Sequence, residues 1–187
     1  MDQQSAFDKL VAEGLAAGQA GRPEEALALF ARAGEMAPAS GVPPFLIASE
    51  QAAAGNVEAA EAAFASAVLL APEFVLARYQ LGLLQFSSGR PAVGLLTWEP
   101  LLTAPASEPL GHYARGFASL AQEDLSTALL HLREGLALPG GNPAVSADIR
   151  RVIASVEALS TTGEAPKDAA PAQASHVLLG AYSGALH

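Results

Sequence analysis

The chain has 187 residues, of which 51% are apolar and only 16% are charged, so it has enough apolar surface to build a folded core. Ten Lys and Arg against nineteen Asp and Glu give a net charge of −9, which disfavours binding to nucleic acid or to an anionic membrane. The absence of cysteine excludes disulfides, thiolate metal sites and a thiol nucleophile.

The N-terminal sequence Met1–Ser5 carries no basic residue, and Asp8, Lys9 and Glu13 interrupt the stretch that follows. No apolar run in the chain approaches the roughly 18 residues that a membrane span needs. We therefore expect neither a signal peptide nor a transmembrane helix, and we expect a cytoplasmic protein.

Four windows of equal length align without insertion when the chain is divided every 34 residues from Phe7. They begin at Phe7, Gly41, Val75 and Pro109. The eighth position is small in every window: Gly14, Ala48, Gly82 and Gly116. The fifteenth position is a turn glycine in three windows and a glutamate in the last: Gly21, Gly55, Gly89 and Glu123. The twenty-fourth position is bulky throughout: Phe30, Phe64, Trp98 and Leu132.

Each window predicts two antiparallel helices joined by a tight turn. Small residues at the eighth position let the helices approach closely, and the bulky residue at the twenty-fourth is expected to fill the gap between neighbouring hairpins. Glycine at the fifteenth position favours a left-handed helix cap. We predict first helices over about residues 3–20, 43–54, 73–88 and 108–121. We predict second helices over about residues 23–37, 57–71, 91–103 and 124–138, with Pro100 shortening or kinking the third.

The sequence changes character after the turn at Pro139–Pro143. A helix over about residues 144–160 is predicted to cap the array, because one apolar stripe lies opposite Arg150, Arg151 and Glu157. A partner-binding amphipathic helix is the alternative. The stripe consists of Val145, Ile149, Val152, Val156 and Leu159. The predicted domains are a helical repeat domain with its capping helix at 1–160, a flexible linker at 161–174 and an apolar C-terminal tail at 175–187.

The repeated small, glycine and aromatic positions resemble the tetratricopeptide repeat (TPR) family, whose unit is a helix–turn–helix of 34 residues. The resemblance covers roughly Phe7 to Asn142, and the first two windows match best. It implies an all-α fold, a right-handed superhelix of about four TPR-like helical hairpins with a C-terminal capping helix.

In the TPR family, the first helix of each hairpin lines a concave face and supplies most contacts to a ligand. The resemblance therefore implies an apolar peptide-binding groove in this chain. Its residues would be Val11, Leu15, Val42, Phe45, Ser49, Leu76, Tyr79, Leu83, Phe86, Leu110, Tyr113, Phe117 and Leu120. Ordinary packing of these side chains between helices is the alternative interpretation.

The apolar tail is a candidate occupant of that groove. Its apolar residues are Val177, Leu178, Leu179, Tyr182 and Leu186. Their burial would contribute on the order of 10 kcal/mol, which is comparable to the cost of ordering the segment at ~1–2 kcal/mol per residue. We predict that the tail docks in its own groove or a neighbour's and can be displaced; a disordered terminus is the alternative.

Catalytic and metal-binding patterns are absent from the sequence. The histidines are His112, His131, His176 and His187, and no two are spaced four residues apart on one helix. We therefore expect no metal site, no cofactor and no catalytic residue. Carboxylates that open second helices, such as Glu24 and Glu25, indicate helix capping. A cleft with two close carboxylates or a His–carboxylate pair would instead favour an enzyme or an enzyme's regulatory subunit.

The function that these observations predict is protein–protein interaction, by an adaptor or chaperone that holds an apolar peptide or helix in the concave groove. Size, charge and groove character are similar to those of bacterial TPR chaperones of type III secretion systems, which is one alternative. A self-assembling scaffold is another, with the tail or capping helix filling a neighbour's groove to form a homo-oligomer. Neither nucleic acid nor a membrane is an expected partner.

Overall fold

The computed structural model describes residues 3–161. Every regular element in that range is an α-helix, which confirms the predicted all-α class. The helices are α1 (Gln3–Gln19), α2 (Pro23–Met36), α3 (Val42–Ala53), α4 (Val57–Leu70), α5 (Val75–Ser87), α6 (Pro91–Thr97), α7 (Glu99–Leu102), α8 (Pro109–Leu120), α9 (Leu125–Ala137) and α10 (Pro143–Thr161). Nearly all of the predicted linker and the whole tail at 175–187 lie outside the described residues.

The predicted helix over 91–103 is divided in two at Trp98. Helix α6 ends at Thr97, and α7 begins at Glu99 with Pro100 in its first turn. Proline has no N–H to donate to the preceding turn, so a continuous helix through this position would lose a hydrogen bond and clash with the backbone. The expected effect of Pro100 is therefore confirmed, and it sets Trp98 at the junction.

The turn between the two helices of each window contains one residue in the left-handed conformation. The φ angle is +70° at Gly21 and +78° at both Gly55 and Gly89. Glu123 replaces glycine in the fourth window and still has a φ of +60°. The residue that follows donates its N–H to a carbonyl five positions earlier in all four turns: Arg22 to Ala17, Asn56 to Gln51, Arg90 to Gln85 and Asp124 to Ser119. This shared hydrogen bond is the Schellman type of helix ending.

The small eighth position faces the bulky twenty-fourth position of the same window. A methyl group on Gly14 would lie 2.4 Å from Phe30 Cε1, and one on Gly116 would lie 2.6 Å from Leu132 Cδ2. The bulky residue thus fills space inside its own hairpin, whereas the sequence predicted a contact between neighbouring hairpins. The difference follows from the close approach of the two helices, which leaves room for the large side chain only over a small residue.

The described chain divides into two compact units, and the division falls within α5. Unit 1 ends at Leu81. In it, α1 pairs with α2, α3 pairs with α4, and α2 packs against α3. The buried cluster at its centre comprises Ala17, Ala26 and Phe30, with Leu29, Leu46 and Ile47 packed against it.

Unit 2 begins at Gly82 and contains the α8–α9 hairpin, against which α10 packs through α9. Helix α10 starts where Asn142 Oδ1 accepts the N–H groups of Ala144 and Val145, at 3.0 and 3.2 Å. Four residues of the predicted stripe are buried: Val145, Ile149, Val152 and Val156. Leu159, the fifth, is exposed, because it lies near the end of the helix. The capping role of α10 stays a prediction.

Candidate functional site

Seven of the predicted groove residues lie in unit 1, and six of them, all except the buried Tyr79, are at least partly accessible to solvent. Helix α1 carries Val11 and Leu15, α3 carries Val42, Phe45 and Ser49, and α5 carries Leu76. Leu15 and Val42 are exposed, and the other four are half-buried. We call these six residues the unit 1 face.

Close contacts join the helices of the unit 1 face in order. A methyl group on Gly18 of α1 would lie 2.5 Å from Glu50 Oε1 of α3, so these two helices are neighbours at this level. The ring of Phe45 on α3 lies with its centre 4.8 Å from that of Phe74, which immediately precedes α5, and 5.7 Å from that of Phe64 on α4. Burial raises the pKa of the Glu50 carboxyl above its ordinary value.

A shallow pocket of about 410 Å³ opens beside Val42. It is lined by Ala39, Ser40, Gly41, Val42, Leu70, Ala71, Glu73 and Phe74. Leu70 and Phe74 were not among the predicted contact residues, because they lie at the end of α4 and in the loop before α5, outside the first-helix positions that the resemblance supplies. The missing information was that these two apolar residues lie next to Val42 and Phe45 in the folded chain.

The remaining predicted groove residues differ in accessibility. Leu110 and Leu120, both on α8, are half-buried. Five others are buried: Tyr79, Leu83, Phe86, Tyr113 and Phe117. For these five, the expectation of an accessible groove lining is wrong, and the alternative of helix packing describes them.

Trp98 explains the burial of two of these aromatic residues. Its indole is completely buried and stacks on Phe86 with ring centres 5.8 Å apart, and it contacts Phe117 with ring centres 5.6 Å apart. Phe86 and Phe117 also contact each other, at 5.5 Å. Tyr113 instead lies over a glycine of α9, since a methyl group on Gly135 would be 2.5 Å from its Cε1 atom.

A second constellation, which the sequence reasoning missed, joins α8 to α9 within unit 2. His112 Nδ1 lies 3.2 Å from Glu134 Oε2, and His131 Nδ1 lies 3.3 Å from the same oxygen. The two imidazole rings have their centres 5.6 Å apart. The expectation that no metal-ligand set exists is therefore corrected: one potential ligand atom from each of these three residues lies within 4.8 Å of the others.

This cluster escaped the search for spacing because its residues come from two helices. His112 is 19 positions before His131, and only His131 and Glu134 share a helix. The repeat register contained the signal. Since position 8 of a window faces position 24 across the antiparallel hairpin, position 4 comes opposite positions near 28, and His112 and Glu134 occupy positions 4 and 26 of the fourth window.

A pocket of about 550 Å³ contains the cluster. It is lined by Ala104, Ala106, His112, Arg115, His131, Glu134, Ala137 and Leu138. Arg115 Nη1 donates hydrogen bonds to the carbonyls of Leu102 and Ala104, each at 3.2 Å. The guanidinium therefore satisfies one carbonyl at the end of α7 and one just after it, and contributes positive charge to the pocket.

No helix in the part of the chain that the structure describes is both long and apolar enough to cross a membrane.

The comparisons with known proteins agree with the repeat architecture. No protein-family model matches the sequence, and no curated protein matches it. Solved structures do match, and they show that the chain has a TPR-like fold. A thermophilic TPR protein of Thermus thermophilus is similar at 20% identity over 97% of this chain and 99% of that chain, with a TM-score of 0.62.

Two further structures show the same likeness. MamA of Desulfovibrio magneticus RS-1, from its residue 41 to its end, is 15% identical over 98% of this chain and 97% of that chain, with a TM-score of 0.61. PilF of Pseudomonas aeruginosa is 18% identical over 95% of this chain and 77% of that chain, also with a TM-score of 0.61. At these identities the likeness shows the fold.

Proposed function

We propose that the chain is a non-catalytic protein–protein interaction module, an adaptor or chaperone that binds an apolar peptide or helix on the unit 1 face. The TPR-like fold supports this proposal, because such repeats present extended surfaces to partners. The observation that carries it is the accessibility of six apolar or small residues on α1, α3 and α5, where α1 lies against α3 and α3 contacts Phe74 just before α5.

The chemistry of the unit 1 face suits an apolar ligand. Leu15 and Val42 are exposed, and an apolar segment covering them would remove their side chains from water at a gain of about 25 cal/mol per Å². Ser49 Oγ already donates a hydrogen bond to the Phe45 carbonyl at 2.9 Å. Covering this hydroxyl would therefore leave no unsatisfied donor. Glu50, beside Ser49, supplies a polar edge.

The occupant that we propose to test first is the chain's own tail, which carries Val177, Leu178, Leu179, Tyr182 and Leu186. A tethered segment has an effective concentration of up to roughly millimolar, so the tail would occupy the unit 1 face even if it bound weakly. A partner protein would then displace the tail by offering a larger apolar surface. The proposal of an adaptor or chaperone does not depend on the tail, because any apolar segment of matching shape could bind.

The cleft around Glu134 bears on the enzyme alternative, since it contains a His–carboxylate contact. Besides the cluster, its described lining offers alanines, Leu138 and Arg115, with no serine, threonine or second carboxylate. An enzymatic role for this cleft would therefore have to rest on the His–carboxylate contact itself.

Fluorescence anisotropy of a labelled peptide of residues 175–187 tests the binding face. The peptide is titrated with a chain that ends at residue 162, so that the native tail does not compete. We expect saturable binding, and a loss of affinity of about tenfold for Leu15→Asp or Val42→Asp, since a charge would be buried under the ligand.

The matched control is Leu130→Asp, which adds the same charge at an exposed leucine of α9 in unit 2. Its affinity should equal that of the parent chain. Equal affinity for all three variants would show that the unit 1 face does not hold the peptide. A full-length chain that binds the peptide as well as the shortened chain would contradict the role of the native tail.

Self-assembly is the second candidate, and exposed leucines on second helices favour it. Leu69 on α4 is 81% exposed and Leu96 on α6 is 76% exposed, so each offers apolar surface that a second copy of the chain could bury. Light scattering coupled to size exclusion gives the oligomeric state. If the leucines form an interface, Leu69→Ser or Leu96→Ser shifts an oligomer to monomer; a monomeric parent chain removes this candidate.

A further inference from the structure

Three potential metal ligands converge in unit 2, and this convergence is independent of the unit 1 face. His112 of α8 is the most buried, with 9% of its side chain exposed, followed by His131 of α9 with 25% and Glu134 of α9 with 47%. The atoms that face one another are His112 Nδ1, His131 Nδ1 and Glu134 Oε2. We propose that these three residues form a binding site for a divalent transition metal of the Zn²⁺ type.

The hydrogen bond on the far side of His112 determines which of its nitrogens is free to bind. His112 Nε2 lies 2.9 Å from the carbonyl oxygen of Ala106. A carbonyl only accepts, so Nε2 carries the proton and donates it. In the neutral ring, Nδ1 then presents a lone pair toward the Glu134 carboxylate. A backbone carbonyl behind a metal-binding imidazole is the usual outer-shell arrangement, because it fixes the tautomer and the ring orientation.

The resulting contact between neutral His112 and Glu134 is unfavourable unless a cation lies between the two atoms. His112 Nδ1 and His131 Nδ1 are both buried and have no hydrogen-bond partner within the described residues. Each lies near a carboxylate oxygen, which accepts hydrogen bonds but does not donate them when ionised. For neutral His112, whose proton is on Nε2, Nδ1 and the carboxylate oxygen are two acceptors without a donor between them, and a bound cation removes the free-energy cost of that contact.

The two distances from Glu134 fit a tetrahedral site. Zn–N bonds of about 2.0–2.1 Å and Zn–O bonds of about 2.0–2.2 Å place neighbouring ligand atoms roughly 3.3–3.5 Å apart. The observed separations of Glu134 Oε2 from the two Nδ1 atoms are 3.2 and 3.3 Å. Small adjustments of exposed Glu134 and half-buried His131 would complete the geometry, while buried His112 stays in place.

The ligand chemistry selects the type of metal. Two imidazoles and one carboxylate suit Zn²⁺ and its transition-metal neighbours, whereas Ca²⁺ and Mg²⁺ require oxygen ligands. Three protein ligands leave the fourth position to water. Arg115 lines the same pocket, and its charge opposes a cation, so we expect weaker binding than at a site with four protein ligands. The metal would link α8 to α9.

Isothermal titration of Zn²⁺ into the untagged full-length chain tests the site. His176→Ala and His187→Ala are present in every sample, so that the tail histidines cannot contribute. We expect saturable binding of one Zn²⁺ per chain and a rise in Tm on binding, because the metal binds the folded state. Affinity should fall by about tenfold or more in His131→Ala and in Glu134→Gln. Ca²⁺ and Mg²⁺ should cause neither effect.

Glu157→Gln is the matched control, because the Glu157 and Glu134 side chains are both 47% exposed and both lie near the α9 surface. It should bind Zn²⁺ like the parent. Circular dichroism checks that each variant is folded. His112 is the most buried ligand, so His112→Ala could unfold the chain; His131→Ala and Glu134→Gln then test the site without it. Absence of saturable binding, as expected if a proton rather than a metal links His112 to Glu134, would overturn the proposal. Unchanged affinity in both variants would do the same.

Discussion

Trp98 covers the backbone of Gly82 so closely that a side chain at position 82 would force the indole or the backbone to shift. A methyl group there would lie 2.3 Å from Trp98 Nε1 and 2.6 Å from Trp98 Cδ1. The indole cannot move aside easily, because Phe86 and Phe117 contact it as well. The backbone at Gly94 also lies close to Gly82, since a methyl group on Gly94 would be 2.7 Å from the Gly82 carbonyl oxygen. Glycine at position 82 is therefore a packing requirement.

Gly82→Ala should lower the free energy of unfolding by about 1–3 kcal/mol, because the added methyl group overfills a rigid aromatic contact. Urea denaturation followed by circular dichroism measures the change. Gly34→Ala is the control: Gly34 lies within α2, and the nearest atom to an added methyl group is Pro43 Cβ at an ordinary 3.6 Å. It should raise stability by about 0.5–1 kcal/mol, as alanine does in a helix. Destabilisation of equal size by both substitutions would contradict the packing argument.

Glu123→Gly should stabilise the chain. Glu123 has a φ of +60°, and a residue with a side chain in this left-handed conformation costs roughly 1–2 kcal/mol. Glycine removes this cost but adds freedom to the unfolded chain, so we expect a net gain of about 0.5–1 kcal/mol. Thermal and urea denaturation measure it. Gly89→Ala is the reverse experiment, since Gly89 has a φ of +78° and open space around it, and it should destabilise. A loss of stability in Glu123→Gly would show that the glutamate side chain contributes more than its backbone costs.

Asp124 should stabilise α9 in a pH-dependent way. Its Oδ1 accepts the N–H of Thr127 at 3.0 Å, and these hydrogen bonds to Thr127 hold the pKa of the Asp124 carboxyl below its ordinary value of 3.8. Because the folded pKa is lowered, the contribution is present above pH 3.8 and is lost as the pH falls through the folded pKa. Asp124→Ala should therefore lower Tm at pH 7, and the difference should shrink below about pH 4.

Asn56 offers the comparison for Asp124, since it occupies the same turn position before α4 but makes no side-chain cap. Asn56→Ala should change Tm little at either pH. A Tm difference for Asp124→Ala that stays constant down to pH 2 would show that the ionised carboxyl is not what stabilises the helix start.

Glu50→Gln should raise Tm slightly at pH 7. Burial raises the pKa of the Glu50 carboxyl, so the ionised form is the less stable one in the folded state. The folded chain binds a proton more readily than the unfolded chain, and the disadvantage of glutamate disappears as the pH falls through the raised folded pKa. The parent and the variant should converge near pH 4 to 5. Glu35→Gln, at an exposed carboxylate of α2, should leave Tm unchanged at both pH values.

The helical fold could be predicted from the sequence because the residues that define the repeat act on their own stretch of backbone. Gly21, Gly55 and Gly89 end helices through their own backbone conformation, and Pro100 interrupts one by lacking an N–H. Even Glu123 adopts the turn that glycine forms in the other windows, since the N–H of Asp124 still donates to the Ser119 carbonyl. Agreement among four windows therefore outweighed the one residue that departed from the pattern.

The accessibility of the candidate groove could not be predicted in the same way. Whether Phe86 and Phe117 face solvent depends on the size of the side chain at Trp98, which is distant in sequence and specific to the third window. The metal-ligand cluster depends on which residues of α8 and α9 face each other. The carbonyl of Ala106, which lies in a loop, determines which nitrogen of His112 is free to bind. Such properties arise from contacts across helices, which periodicity along one helix does not contain.

Trp98 also gives the molecule a built-in optical probe. It is the single tryptophan of the chain and is fully enclosed among aromatic rings of unit 2. Its emission should therefore shift to longer wavelength when unit 2 alone loosens, while far-ultraviolet circular dichroism reports helices of both units. Repeat arrays are held together by nearest-neighbour interfaces and need not melt in one step. Comparison of the fluorescence and circular dichroism denaturation curves would then reveal whether unit 1 and unit 2 unfold together or one after the other.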